Sequence, residues 1–290
     1  MYHTSNLDFH HHLLSLAEAM KPLPTTVCRL AALIADEHSQ IADVVGILRE
    51  DPSLVAALLR QSNSAASAPA SEIVTVEAAI VRLGLARVLA IATHTAIGAQ
   101  PQEALAAYEL APGRLWDHSV RVSYVAEAIF RRTPRKVGPE VVTAALLHDI
   151  GQIVLDKVLD PTHFHLARNA HVLVTTAERE LVEVDHAELG AMLLELWEIP
   201  ATIADAVRYH HDPSSDDDVA AHVVQASNLI IHTLDDDPDK ITRFEREADD
   251  ERLRLSLGLL EVDRRDIVDR SLELLRRAGL LSDGDSPIEL

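Results

Sequence analysis

The stretch Ala144-Ala145-Leu146-Leu147-His148-Asp149-Ile150-Gly151 constrains this chain more than any other. Val141, Ala144, Ala145 and His148 recur at helical spacing, so one helix face carries apolar side chains and an imidazole together. Burying that face buries His148 with it. Asp149 adds a carboxylate at the same helix end, and Gly151 is expected to end the helix in the left-handed conformation that glycine adopts at little cost. Adjacent nitrogen and oxygen donors can share one metal ion or bridge two. The plainer alternative is a buried histidine hydrogen-bonded to its neighbour, and the dipeptide alone does not decide between them.

Three further segments repeat the arrangement. Between Arg114 and Arg132, His118, Val122, Val125 and Ile129 form one stripe; Asp185 is placed to cap a helix on which His186, Gly190, Leu193 and Trp197 share a face; and after Pro200 the stripe is Ile203, Val207 and His210, with His211 next. Gly190 would let a neighbouring backbone or ligand approach closely. Several histidines converging on one core carry a heavy desolvation cost unless they are paired, hydrogen-bonded or metal-bound. A metal would satisfy them together, and imidazole neighbours without metal are the rival reading. His163 and His165 do not fall with the others and receive no role. His3, His10, His11 and His12 point in different directions and read as a solvated or frayed helix start.

The rest of the chain reads as helices. Leu23-Pro24 opens one whose face is Val27, Leu30, Ala31 and Ile34, with Cys28 packed beside it; Ser39 is expected to cap a second, Asp51-Pro52 a third, and Thr75 a short fourth ending at Gly84. The helices over 75–84 and 85–97 are almost purely apolar and are expected to be wrapped by others. Pro101 and Ala111-Pro112-Gly113 punctuate the chain. Hydrophobic residues make up 48% of the 290, and aromatics only 3%. Abundant Ala, Leu and Val with few aromatics favour packed helices, so the expected class is all-α: a helical bundle with an N-terminal helical subdomain on a second helical domain. The expected divisions are a terminal segment 1–22, the subdomain 23–110, the histidine-bearing domain 111–235 and C-terminal helices over 236–290. The acidic stretches 212–218 and 235–239 lack the spaced carboxylates and central glycine of a calcium loop and read as solvated loops.

A formal charge of −20 with a pI near 5.1 argues against nucleic acid as a partner. The short cluster Arg131, Arg132, Arg135 and Lys136 reads as a charged helix end and loop. No apolar run approaches the roughly 18 residues of a membrane span, and no signal-peptide pattern opens the chain, so a cytoplasmic location without membrane contact is expected.

In order and context, His118, His148-Asp149, His186 and His210-His211 resemble the ligand positions of the HD superfamily of metal-dependent phosphohydrolases, especially its HD-GYP branch. Leu23-Pro24, Asp51-Pro52-Ser53-Leu54, Asn63-Ser64 and the run from Val76 to Gly84 are similar to the helical half of HDOD domains, the HD-related output domains of bacterial signalling proteins. The resemblance covers about residues 20 to 280. It implies metal ligands at His118, His148, Asp149, His186, His210 and His211, and a divalent iron, manganese or zinc ion as cofactor. In the two-metal enzymes one ion takes the positions of His118, His148, Asp149 and a late aspartate. The other shares Asp149 and takes those of His186, His210 and His211. By the same resemblance the late aspartate falls at Ser227, the lysine that follows His-Asp-Ile-Gly is Gln152, and no Gly-Tyr-Pro follows His211. The first loss removes an anionic ligand and the second a cation for phosphate oxygens. The implied function is a non-catalytic signal-transduction output or adaptor module that works through a signalling protein partner or a ligand. The alternative is a residual phosphohydrolase acting on nucleotides or cyclic dinucleotides, with Asp149 positioning water.

Overall fold

A computed structural model describes residues 13–234 and 256–281, apart from 14, 17, 37, 65–71, 99–102, 171–172 and 260; of 261–265 it describes the backbone only. The terminal histidines His3 to His12 and the acidic turn at 235–239 lie outside the described residues, as do 253–255 and 260 of a further helix expected over 253–260. What is described is all-α. The β pairing found among these residues is a single bridge between Leu105 and Leu110.

Local chemistry sets the helix starts in the N-terminal part. The helix α1 (Thr25–Ala35) follows Pro24, and α2 (Ile41–Arg49) is started by a capping box in which Gln40 and Asp43 each bond the other's backbone N–H. The cap is therefore Gln40 and not Ser39: the reciprocal pair needs an acidic residue three positions on, and Asp43 stands three after Gln40. Asp51 caps α3 (Pro52–Ser62), accepting from Ser53 N at 2.9 Å, and Thr75 caps α4 (Val76–Leu83), accepting from Ala78 N at 3.2 Å. Gly84, at φ +81°, turns the chain directly into α5 (Leu85–Gly98). That helix buries Ala86 through Ala90 and is wrapped as expected, whereas α4 leaves Val81 exposed.

Nine further helices complete the set named among the described residues. These are α6 (Arg114–Phe130), α7 (Val141–Leu147), α8 (Gln152–Leu155), α9 (Pro161–Ala170), α10 (Val174–Val182), α11 (His186–Leu196), α12 (Ala201–Arg208), α13 (Val219–Leu234) and α14 (Glu261–Arg277). Every residue of α7 is buried, and it packs against α5, α6, α12 and α13 at once. A helix enclosed on all sides has no polar face to spare, which is why its seven residues are Val, Thr, Ala and Leu. One continuous apolar core runs from Leu13 and Leu23 through α7 to Leu275. Among the described residues no helix is long and apolar enough to cross a membrane.

Gly151 departs from expectation. Its φ is −63°, within the right-handed helical region, so it does not end a helix in the left-handed conformation. Its need for glycine is steric. A Cβ there would collide with the His186 carbonyl and come within 2.7 Å of Gly190 N, while a Cβ on Gly190 would meet Gly151 N at 3.3 Å. Two glycines thus let the backbone after Asp149 lie directly on the first turns of α11, and that approach brings His186 beside Asp149.

Substituting Gly151→Ala is expected to cost about 3 kcal/mol, because the opposing atoms are backbone and cannot swing aside. Urea unfolding of the variant against the parent measures it, and a loss below about 0.5 kcal/mol would contradict the steric reading.

Candidate metal centre

Helix ends supply three of the imidazoles and fix how each is turned. His148 follows the last residue of α7, and its Nδ1 donates to Ala145 O at 2.9 Å; His210 follows α12, and its Nδ1 donates to Val207 O at 2.7 Å. Both bonds use a carbonyl three residues back, one of those that a helix C-terminus leaves free. A carbonyl only accepts, so each Nδ1 carries a proton and Nε2 is the nitrogen left to face inward. His186 is turned inward by a different partner. Its Nδ1 lies 2.9 and 2.8 Å from the two oxygens of Glu178, which leaves its Nε2 facing inward.

All three Nε2 atoms face one carboxylate. Asp149 Oδ1 lies 3.1 Å from His186 Nε2 and 4.0 Å from His210 Nε2, and Oδ2 lies 3.2 Å from His148 Nε2. His211 Nε2 is 2.9 Å from His186 Nε2. Among the described residues, the buried Nε2 atoms of His148 and His210 find no hydrogen-bond partner. Lone pairs turned toward a carboxylate repel it unless a proton or a metal ion stands between them.

The structure brings together all six residues singled out from the sequence. Asp149, His186, His210 and His211 form one group whose donor atoms lie within 4.8 Å of one another, and His118, His148 and Asp149 form a second. The donor set is one carboxylate with several imidazole nitrogens, a chemistry suited to a borderline divalent ion such as iron, manganese or zinc. The orphaned nitrogens fit such an ion. His163 and His165 lie elsewhere, exposed, beside Asp160 and Glu109.

Charge in the centre follows from burial and neighbours. Burial, then the nearby imidazoles of His148 and His186, pushes His210 down to about 3. Burial and His148 do the same to His118, also to about 3, and burial with His210 pushes His211 well down. These rings are neutral nitrogen donors at neutral pH. Burial works against charge on Asp149 and His186 too, but it is outweighed: His148 and His186 hold the Asp149 carboxyl well below its usual range, and Glu178 with Asp149 raises His186 well above its own. In the absence of metal, a proton on His186 offsets part of the negative charge.

Sequence reasoning missed Glu178, which is fully buried in α10 and accepts from His186 Nδ1, from His186 N at 2.9 Å and from the Tyr108 hydroxyl at 2.7 Å. Burial and the Glu178 charge push Tyr108 well up, so its hydroxyl remains a donor. The available signal was periodic: Thr175, Glu178 and Val182 share the buried stripe of α10, while Glu180 falls off it.

The reading of Ser227 also changes. Its hydroxyl donates to Val223 O at 2.6 Å, and it is Asn228 that reaches the centre, with Oδ1 3.0 Å from His118 Nε2. His118 Nε2 is therefore turned to an amide and stands 3.9 Å from Asp149 Oδ2. Gln152, at the position of the expected lysine, is buried and carries no charge.

The sequence profile of the HDOD domain matches residues 20–213. Three solved structures share the fold. An HDOD domain protein of unknown function from Geobacter sulfurreducens is 23% identical, with a TM-score of 0.71 over 98% of this chain and 99% of that one. A candidate signal transduction protein from Marinobacter aquaeolei VT8 is 22% identical, with a TM-score of 0.69 over 95% of this chain and 66% of that one. A candidate phosphohydrolase from Shewanella amazonensis SB2B is 24% identical, with a TM-score of 0.63 over 91% of this chain and 97% of that one. An uncharacterized protein of Treponema pallidum is 24% identical over 256 residues, 82% of this chain, which spans about half (48%) of that relative's length.

Removing the charge that orients His186 should weaken metal binding without touching a ligand. Glu178→Gln is expected to lower affinity for zinc or manganese by about 10- to 100-fold, the usual effect of losing such a supporting carboxylate. Competition against a fluorescent chelator measures it, and an unchanged affinity would show that His186 needs no orienting partner.

Proposed function

Because the chain belongs to the HDOD family, we propose that it is a bacterial signal-transduction output or adaptor module that acts through contacts with a protein partner, and that it holds a divalent transition metal without turning over substrate. The observation that carries this reading is Asn228 beside His118. A second divalent ion at His118, His148 and Asp149 would need another anionic ligand to offset its charge in a buried site, and an amide supplies none. Gln152 likewise supplies no cation for phosphate oxygens. The name of the Marinobacter structure as a candidate signal transduction protein supports the signalling part.

The residues that would hold the ion are Asp149, His186, His210 and His211, with His148 adjoining. When bound, a divalent ion would supply Lewis acidity and a positive charge opposite Asp149. The chain's own groups do the positioning. Ala145 O, Val207 O and Glu178 fix three rings, and Gly151 and Gly190 set the distance between α11 and the end of α7. These ligands come from α7, α11 and the end of α12, so the centre ties together three helices that meet in the core, a structural use of metal.

A second reading, residual phosphohydrolysis on nucleotides or cyclic dinucleotides, is favoured by one observation. His118 and His148 remain within reach of Asp149 as a second ligand group, and in that reading Asp149 positions the attacking water.

Elemental analysis after purification without chelator is expected to find iron, manganese or zinc at more than about half an ion per chain, falling on His148→Ala. Less than about a tenth of an ion per chain would defeat the metal assignment.

Turnover of cyclic di-GMP and of a nucleotide panel is expected to stay far below about 1 per second, the lower range of working enzymes. Asn228→Asp, which places a carboxylate on His118, should raise manganese occupancy toward a second ion. Phosphate release by the parent chain near that rate, lost in His148→Ala, would establish the enzyme reading instead.

A further inference from the structure

At the other end of α6 from His118, an open cavity of about 400 Å³ is lined by residues of α3, α4, α5, α6 and α14. Among the described residues five arginines line it, Arg82, Arg87, Arg131, Arg132 and Arg270, together with two acids, Glu127 and Asp266. Arg270 also pairs with Glu273 at 2.6 Å. In a chain of formal charge −20 this is a local concentration of guanidiniums.

The arginines are held in place. Arg87, only 7% exposed, stacks its guanidinium over the Tyr124 ring at 3.5 Å and lies 3.5 Å from the equally buried Glu127. Arg131 donates to the same carboxylate through Nε at 3.1 Å and Nη2 at 2.8 Å. One carboxylate thus serves two guanidiniums, which carry more N–H donors and more charge than it can satisfy. Arg132 pairs with Asp266 and so draws α14 to the cavity wall. Converging guanidiniums are costly to hold together unless an anion offsets them, and their planar donor forks match phosphate oxygens. The cavity volume falls within the usual range for small-molecule sites and exceeds the needs of a bare phosphate, while Leu83, Ala128 and Leu274 add apolar wall for an uncharged moiety.

We propose that this cavity binds a phosphorylated small molecule of nucleotide size. The occupant would touch α4 and α5 on one side, α6 in the middle and α14 on the other, and so would fasten the C-terminal helix to the N-terminal ones. It shares no residue with the metal centre, and neither assignment depends on the other.

The test is calorimetric titration of the purified full chain with ATP, GTP, cyclic di-GMP and inorganic phosphate, alongside melting curves for each variant. At least one nucleotide is expected to bind with Kd below about 100 µM, and more tightly than inorganic phosphate. Arg82→Ala and Arg270→Ala, both at exposed positions, should each weaken it at least about 5-fold, and Arg82→Lys, which keeps the charge and loses the fork, should weaken it less than Arg82→Ala. The proposal is overturned by no binding up to about 1 mM, by inorganic phosphate binding as tightly as the nucleotides, or by nucleotide binding that survives both alanine variants at unchanged melting temperature.

Discussion

A buried carboxylate, Asp149, is faced by the Nε2 atoms of imidazoles whose Nδ1 atoms are bonded on the far side of each ring, and the interior of the protein is organised around that arrangement. Each of His148, His186 and His210 spends Nδ1 on an acceptor and turns Nε2 inward. In an apolar core such an array is tolerated only with a cation at its focus, either a proton or a metal ion. The same array therefore links stability to composition of the medium. A metal competes with the proton that Glu178 and Asp149 otherwise hold on His186.

The fold produces this array with ordinary parts. Two helices stop where their last free carbonyls can accept from a histidine three residues on, which sets the tautomer without a dedicated partner. A third imidazole, at the start of α11, lies at the wrong end of its helix for that device and uses Glu178 from α10 instead. The fully buried α7 places the carboxylate, and the Gly151–Gly190 approach sets how near α11 can come. Packing and chemistry are not separable here, since a methyl group on Gly151 would push away the backbone of His186.

Helical spacing made the six site residues legible in the sequence, because each lies on an apolar stripe or directly beside one and stripes converge in a core. The all-α class and the caps at Asp51, Thr75 and Asp185 were legible for the same local reasons. What escaped was set by tertiary contact. Glu178 falls on the stripe of Thr175 and Val182, but which partner a buried acid there meets is decided by the approach of α11. Ser227 and Asn228 are neighbours, and spacing alone does not say which one meets His118. Gly151 is a glycine because of a carbonyl from another helix, and its own backbone angle gives no hint of that. The arginines at 131 and 132 read as a charged helix end, and only the arrival of α4, α5 and α14 gathers them with others around a cavity.

Helix α6 joins the two polar features of the molecule. Its residues from Ser119 to Ile129 are all buried, and it packs against α13, which carries Asn228 to His118, and against α14, which closes the arginine cavity. His118 and Arg131 stand at its opposite ends, about 20 Å apart at the rise of an α-helix. A close-packed helix does not bend to absorb a local change; it shifts as a unit, and its neighbours shift with it. The imidazole at one end is bonded to α13 through Asn228 and stands 3.9 Å from Asp149 Oδ2. The amide of Asn228 thus has a packing consequence as well as an electrostatic one: it ties His118 to α13, while His148, His186 and His210 are held by carbonyls and by Glu178.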